Sequence, residues 1–374
     1  MKRLTIISHT EHYHLADGTI VGLGSTVTEI NELLEIFDQI THVAMLHTTE
    51  APSSALPYVS DRIQFVTLPA VGGSQGRDKV ALLFQAPHIL KIIHQALKSC
   101  DYFQFRAPTG IGVFVIPYLM FFSSKKGWFK YAGNWKQEDA PWAYRFQKWL
   151  LEKQSRPVTI NGFWAEQPRH CLSFENPCLT NQELLDGQAT IRTKTFDYPL
   201  DLCFVGRLEP EKGVGLILEA LASLEKEELN KIGILHLVGA GQQMAAYQKQ
   251  VEAMGLPVKF HGYLSRAAVH QIYKTSQAIL LPSASEGFPK VIAEAMNYGC
   301  LPIVSNVSSI SHYIQHQENG FLMDALSVSS LKVCLMGLLN LEEAAYKQMA
   351  SPSLEFMSTY SYAYYNQRLI KDIL

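Results

Sequence analysis

"DLCFVGRLEPEKGVGLILEAL", residues 201–221, decides the fold. A short apolar run ends at Gly206, a charged loop follows, and a helical apolar period begins near Gly215. The pattern predicts a strand over 201–208 and a helix over 215–227. The same rhythm continues downstream. Strand-like runs at 233–239, 258–264, 278–283 and 301–306 alternate with helix-like runs at 244–254, 266–276 and 289–299. Strands separated by helices imply right-handed βαβ units and a parallel sheet.

The first half alternates less cleanly. Strands are expected at 3–8, 42–47, 63–68, 102–106 and 158–163, and helices at 26–37, 80–99 and 145–154. Thr26 and Glu29 have capping-box spacing at the start of the first helix. Pro87 should bend or split the second. The segment 354–374 is polar, aromatic and helical in pattern. The fold class is therefore α/β, two doubly wound Rossmann-like halves. The join is expected in the polar stretch 181–199, giving domains 1–190 and 191–354, with the helix 355–374 packing back on the first. Open sheets of this kind bind ligands beyond the carboxyl ends of their strands. Two such sheets facing each other would form a cleft.

Length and composition agree with this. At about 100–200 residues per domain, 374 residues suggest two domains, and 47% hydrophobic content is enough for two cores. A net charge of −2, with no long basic run, gives no electrostatic case for nucleic acid. Six cysteines, none in a CxxC pair or at zinc-ligand spacing, read as reduced thiols of a cytoplasmic protein. The N-terminal apolar run is too short for a signal peptide. The longest apolar run, 111–122, falls short of a membrane span. The basic and aromatic stretch after it, 123–136, carries Lys125, Lys126, Lys130 and Lys136 among Trp128, Phe129, Tyr131 and Trp135. It could touch an anionic membrane surface from the cytoplasmic side, or it is a solvated loop after a buried helix.

Three segments carry chemistry. Gly206 closes a strand, and Arg207 and Lys212 follow in the loop before a helix, where two cations suit a diphosphate or pair with Glu209 and Glu211. Gly239 and Gly241 form a second strand–glycine–helix turn. The third is "SASEGFPKVIAEAM", 283–296. Pro289 suits the first helical turn, so the amides near Phe288, Lys290 and Val291 would face whatever lies above the helix, where an anion is favoured. Glu286 precedes that helix and Glu294 lies inside it, too far apart for an i,i+4 pair. Fixed carboxylates are good acceptors for sugar hydroxyls; the plainer readings are a capping carboxylate and a solvated one. His9, His12 and His14 lie near the end of the first strand, on a loop lining the ligand face or, less simply, around a metal.

Glu286-x7-Glu294, with "VGRLEPEKG" about 80 residues earlier, resembles the retaining glycosyltransferases of family 4 (GT4), which have the GT-B fold. The resemblance runs from 201 to about 325; the first half resembles the family loosely, as the domain holding the acceptor. It implies a nucleotide-sugar donor, a saccharide or lipid-linked saccharide acceptor, and no metal or other cofactor. Arg207, Lys212 and Glu286 would be catalytic, the two cations on the departing diphosphate and Glu286 near the anomeric carbon. Glu294 would take the ribose hydroxyls. Gly206, Gly241 and the backbone of Gly287, Phe288, Pro289, Lys290 and Val291 would hold phosphate and sugar, with Tyr263 and Leu264 near the base. In the first domain Gly22 and Gly24 would approach the phosphates. Arg106 stands where many relatives have a histidine; an arginine cannot act as a base, so it would bind an anion or form a structural ion pair. Retention in the family is explained by front-face attack, so no nucleophile is named. A non-catalytic sugar-nucleotide binder of the same fold is the alternative. A nicotinamide dehydrogenase is disfavoured, because Val27 stands where the third glycine of GxGxxG belongs.

Overall fold

The computed structural model describes residues 1–71 and 76–374. The chain divides into two compact units, residues 1–175 with 362–374, and residues 176–361.

The first unit contains β1 (Arg3–His14), β2 (Ile20–Leu23), α1 (Gly24–Glu32), β3 (Gln39–His47), β4 (Ala55–Pro57), β5 (Ile63–Pro69), α2 (Gly76–Lys98), β6 (Tyr102–Ala107), α3 (Gly112–Phe122), β7 (Lys126–Tyr131), α4 (Trp142–Lys153), β8 (Val158–Ile160) and β9 (Cys171–Ser173). Its parallel strands run β5-β3-β1-β6-β7-β8-β9, and the short antiparallel strands β2 and β4 extend the end of β1. The order reverses between β1 and β6, the switch point of a doubly wound sheet.

The second unit contains α5 (Asn181–Thr193), β10 (Leu200–Val205), α6 (Val214–Ala222), α7 (Lys226–Leu229), β11 (Ile232–Val238), α8 (Met244–Met254), β12 (Val258–Gly262), α9 (Arg266–Thr275), β13 (Ala278–Leu281), α10 (Lys290–Asn297), β14 (Leu301–Ser305), β15 (Phe321–Met323), α11 (Val328–Leu339), α12 (Glu343–Met349) and α13 (Leu354–Ser358). The sheet is wholly parallel, in the order β12-β11-β10-β13-β14-β15. Both faces are covered. Leu202, Phe204 and Leu280 face the larger core, while Cys203, Val238 and Ile279 face a smaller one with Tyr273 and Tyr298. Burial on both faces is why these strands read as unbroken apolar runs. The switch point lies between β10 and β13, so the loops after those two strands flank the crevice.

Several expectations are corrected. Residues 126–131 form an interior strand, not a solvated loop: β7 pairs with β6 and β8, and Trp128, Phe129, Lys130, Tyr131 and Trp135 are buried. The basic and aromatic membrane surface expected there is not presented, and Lys125 Nζ donates inward to the Cys100 carbonyl at 2.7 Å. Helix α2 continues through Pro87 without splitting. Helix α1 begins at Gly24 with no side-chain cap, so Thr26 and Glu29 are not a capping box. The histidines lie in β1 itself, which runs to His14.

The division at 175/176 falls before the expected join. Residues 181–193 form α5, whose capping box joins Thr180 and Glu183. Gly187 of α5 lies against Asn297 of α10, whose Nδ2 donates to the Glu183 carbonyl at 2.8 Å. Few buried apolar residues are needed where a helix docks through a glycine, which hid this helix from its period. The last helix, α14 (Tyr362–Asp372), lies in the first unit, where Tyr365 and Leu369 pack with Trp128 and Phe174 and Asn366 Nδ2 reaches the Glu32 carbonyl at 2.9 Å.

Candidate functional site

The carboxyl end of the second sheet is built from close backbone approaches. The amide of Gly206 donates to the Val238 carbonyl at 3.0 Å, that of Leu208 to Ala240 at 3.0 Å and that of Gly239 to Gly262 at 2.8 Å. Gly239 has φ +128°, and a Cβ there would run into the Gly206 carbonyl; one on Gly241 would stand 2.5 Å from the Leu208 carbonyl. These glycines let the loops after β10 and β11 lie against each other. The loop after β10 is joined to the loop after β13: the Ala284 amide donates to the Glu211 carbonyl at 2.8 Å.

Lys212 and Glu286 meet at this junction, with Lys212 Nζ donating to Glu286 Oε1. Neither Glu209 nor Glu211 pairs with Lys212. Arg207 is exposed and has no ion-pair or hydrogen-bond partner among the described residues. A cation left unpaired beside a bound one keeps positive charge available at the rim.

Helix α10 starts at Lys290, with Pro289 at its N-cap, one residue later than expected. The carbonyls of Gly287 and Phe288 are taken by Ser309 Oγ at 3.0 Å and Asn176 Nδ2 at 3.4 Å. The amides of Gly287, Phe288 and Val291 have no acceptor among the described residues. The loop is thus held by its carbonyls and leaves its donors for a ligand, which suits an anion at the positive end of a helix. The Phe288 ring is buried against Tyr313 and Tyr360, with centroids 4.6 and 5.4 Å away. Tyr263 is exposed at the end of β12, whereas Leu264 packs into the smaller core.

Glu294 is buried, and its partner was not foreseen. Arg266 Nη1, from the first turn of α9, donates to Glu294 Oε1 at 2.7 Å. The same guanidinium takes Glu183 with Nε at 2.8 Å and Nη2 at 2.9 Å, and Nη2 also reaches the Cys178 carbonyl. Burial opposes ionisation of Glu183, but the hydrogen bonds and charge of Arg266 prevail and hold its carboxyl below the usual range. His270, 3.5 Å from Glu183 and bonded through Nδ1 to Tyr298 Oη at 2.9 Å, is pushed down by burial and by Arg266. One signal for Arg266 was in the sequence: a cation in a first helical turn opposes the macrodipole and calls for a carboxylate.

The first-unit candidates have local explanations. Gly22 lies in β2 opposite His12, where a Cβ would enter the imidazole, and Gly24 begins α1 with a Cβ position 2.7 Å from the Ser54 carbonyl. Arg106 is an ion pair: Nη2 donates to Glu29 Oε1 at 3.0 Å, Nε donates to Gln104 Oε1 at 2.9 Å, and Lys130 Nζ donates to the same Glu29 oxygen at 2.5 Å. His12 Nε2 and His42 Nδ1 meet Tyr58 Oη at 2.8 and 2.5 Å, and His42 Nε2 meets Ser8 Oγ at 2.8 Å. Burial, partly offset by the Thr10 carbonyl on Nδ1, pushes His12 down to about 4, and His42 is lowered by burial too. No group of three or more His, Cys, Asp and Glu among the described residues could hold a metal ion, and all six cysteines are free and buried. No helix among the described residues is long and apolar enough to cross a membrane.

The family model described as glycosyl transferases group 1 matches residues 190–351. A glycogen synthase of Thermodesulfovibrio yellowstonii is 28% identical over 155 residues, 40% of this chain and 30% of that protein. The chain thus spans about a third of the length of such curated relatives. In fold the likeness is full length. A sucrose-phosphate synthase from Thermosynechococcus elongatus superposes with a TM-score of 0.73 at 17% identity, covering 99% of this chain and 98% of that one. Anabaena HepE, solved with UDP-glucose, gives 0.69 at 16%, covering 99% of both chains. The fold is that of these GT-B glycosyltransferases.

Proposed function

We propose, from the match of residues 190–351 to the glycosyl transferases group 1 family model, that this protein is a retaining glycosyltransferase. It moves a hexose from a nucleotide-diphosphate sugar to a saccharide or lipid-linked saccharide, in the building of a surface polysaccharide or glycolipid. One observation carries the reading: the exposed Arg207, the Lys212–Glu286 pair and the amides of Gly287, Phe288 and Val291, without acceptors among the described residues, all lie in or just after the loops that follow the switch-point strands β10 and β13.

Breaking a sugar–diphosphate bond builds negative charge on the leaving phosphate. Lys212, Arg207 and the amino end of α10 are fixed donors for that charge. Lys212 turns from Glu286 to the phosphate as the donor enters, and Glu286 is then free to accept from a sugar hydroxyl. Glu294 accepts from the ribose, and exposed Tyr263 lies beside the base. The bond from the anomeric carbon to the diphosphate oxygen breaks as the acceptor oxygen attacks the same face. The departing phosphate takes the acceptor's proton. The HepE structures bound to UDP and to UDP-glucose support the donor class.

The test is release of nucleoside diphosphate from a panel of nucleotide sugars, with mono- and disaccharide and polyprenyl-linked acceptors. Release from at least one donor, lost in Lys212→Ala, is expected. Donor binding without release in any pairing would favour the non-catalytic reading, and no binding of any donor would overturn both.

A further inference from the structure

Glu183, Arg266 and Glu294 come from α5, α9 and α10 and meet through one guanidinium. Its two-pronged hold on Glu183 uses Nε and Nη2, leaving Nη1 for Glu294. Glu183 is itself tied down, because its Oε2 accepts from the Thr180 amide at 2.8 Å while its own amide donates to Thr180 Oγ1 at 3.2 Å. The chain of contacts therefore runs from the capped start of α5 to a carboxylate inside α10. Side-chain exposure is 16% at Glu183, 34% at Arg266 and 11% at Glu294, so both carboxylates lie mostly out of solvent. The guanidinium reaches Glu294 at Oε1, and the contacts described for Glu294 leave Oε2 without a partner among the described residues.

We infer that Arg266 is a positioning residue for the donor nucleotide: by holding Oε1 it fixes the orientation of the Glu294 carboxylate, so that a ribose diol finds its acceptors already placed. The inference rests on the reading in which Glu294 takes the ribose. A vicinal diol offers two donors, and each carboxylate oxygen has two lone pairs, so Oε2 and the remaining lone pair of Oε1 can take both. Arginine suits the task because its fork spans Glu183 while a third N–H reaches Glu294, which a lysine ammonium on a flexible stem cannot reproduce. Without the guanidinium, no contact from α9 would hold Oε1, and the Glu294 carboxylate would be free to turn away from a diol.

A purely structural role, stapling α5 to α9 and α10, would leave the ribose preference untouched. The experiment is calorimetric titration of the full chain with UDP, ADP and GDP, each beside its 2′,3′-dideoxy analogue. Wild type should prefer the ribose form of the best-bound nucleotide by roughly ten- to hundredfold, the scale of a hydrogen bond to a charged group. Arg266→Met should bring the ribose form down to the affinity of the dideoxy form and leave the latter unchanged. Glu294→Ala sets the floor, and Arg266→Lys should fall between. Equal weakening of both forms, or no change, would overturn the inference while the wild-type preference upheld the ribose reading. No preference in wild type would overturn both. Should Arg266→Met fail to melt cooperatively, Glu183→Gln decides by the same ratio, since it keeps Arg266 and loosens its anchor.

Discussion

Both units place carboxylates against cations near a switch point, and they finish the job differently. In the first, Glu29 is 3% exposed and one of its oxygens takes both Arg106 and Lys130. In the second, two carboxylates divide the work: Glu286 takes Lys212 and Glu294 takes Arg266, while Arg207 stands exposed and three amides lack acceptors among the described residues. The first arrangement is closed, and the second leaves donors over. Leftover donors at the carboxyl end of a strand are what a ligand can use; the same residue types, mutually spent in the interior, hold the fold.

The largest effect that could break this contrast lies in the first unit. Glu29→Ala leaves the buried Lys130 and the partly buried Arg106 without their carboxylate and should cost roughly 3–5 kcal/mol of stability, read from denaturant melts. A loss under about 1 kcal/mol would mean the cluster is solvated and open. In the second unit the effect should appear in rate. Lys212→Ala should lower turnover roughly 10²–10³-fold, the scale of losing one fixed donor to a developing anion, and cost less stability than Glu29→Ala, because Lys212 is 21% exposed against 9% for Lys130. A variant that melts early but turns over normally would make Lys212 structural.

Acid should separate the units next. His12 sits beside Tyr58, His42 and His47, with a pKa of about 4 against an ordinary 6.5. Because the folded value is the lower one, the unfolded chain takes the proton first as pH falls. Stability is therefore full above about pH 6.5 and drains away toward pH 4, by roughly 3 kcal/mol from this group. His12→Gln should flatten that part of the pH–stability curve; an unchanged slope would contradict it. The smallest effect belongs to the exposed cation. Arg207→Ala should change stability by under about 0.5 kcal/mol yet weaken donor binding measurably in calorimetry.

The second unit was the more legible in sequence. Its strands are buried on both faces, so Leu202–Val205 and Ala278–Leu281 stood out as apolar runs ending at glycine or proline. In the first unit β7 was hidden because Lys126 and Lys130 interrupt its aromatics. Lys130 is neutralised by Glu29, 101 residues away, a pairing no sequence window contains. Glu29 was misread for the same reason, as a local cap instead of a distant counter-ion. Glu286 and Lys212 were legible as a motif, but the tether on Glu294 was not, since Glu183, Arg266 and Glu294 meet only when three helices pack.

The contrast between a closed cluster and an open edge is tested most directly by hydrogen–deuterium exchange with UDP, ADP and GDP in turn. At least one of them should slow exchange in 206–213, 239–241 and 284–291 and leave the amides around Glu29, Arg106 and Lys130 unchanged. Protection confined to other segments, or none with any of the three, would contradict a nucleotide site at the carboxyl edge of the second sheet.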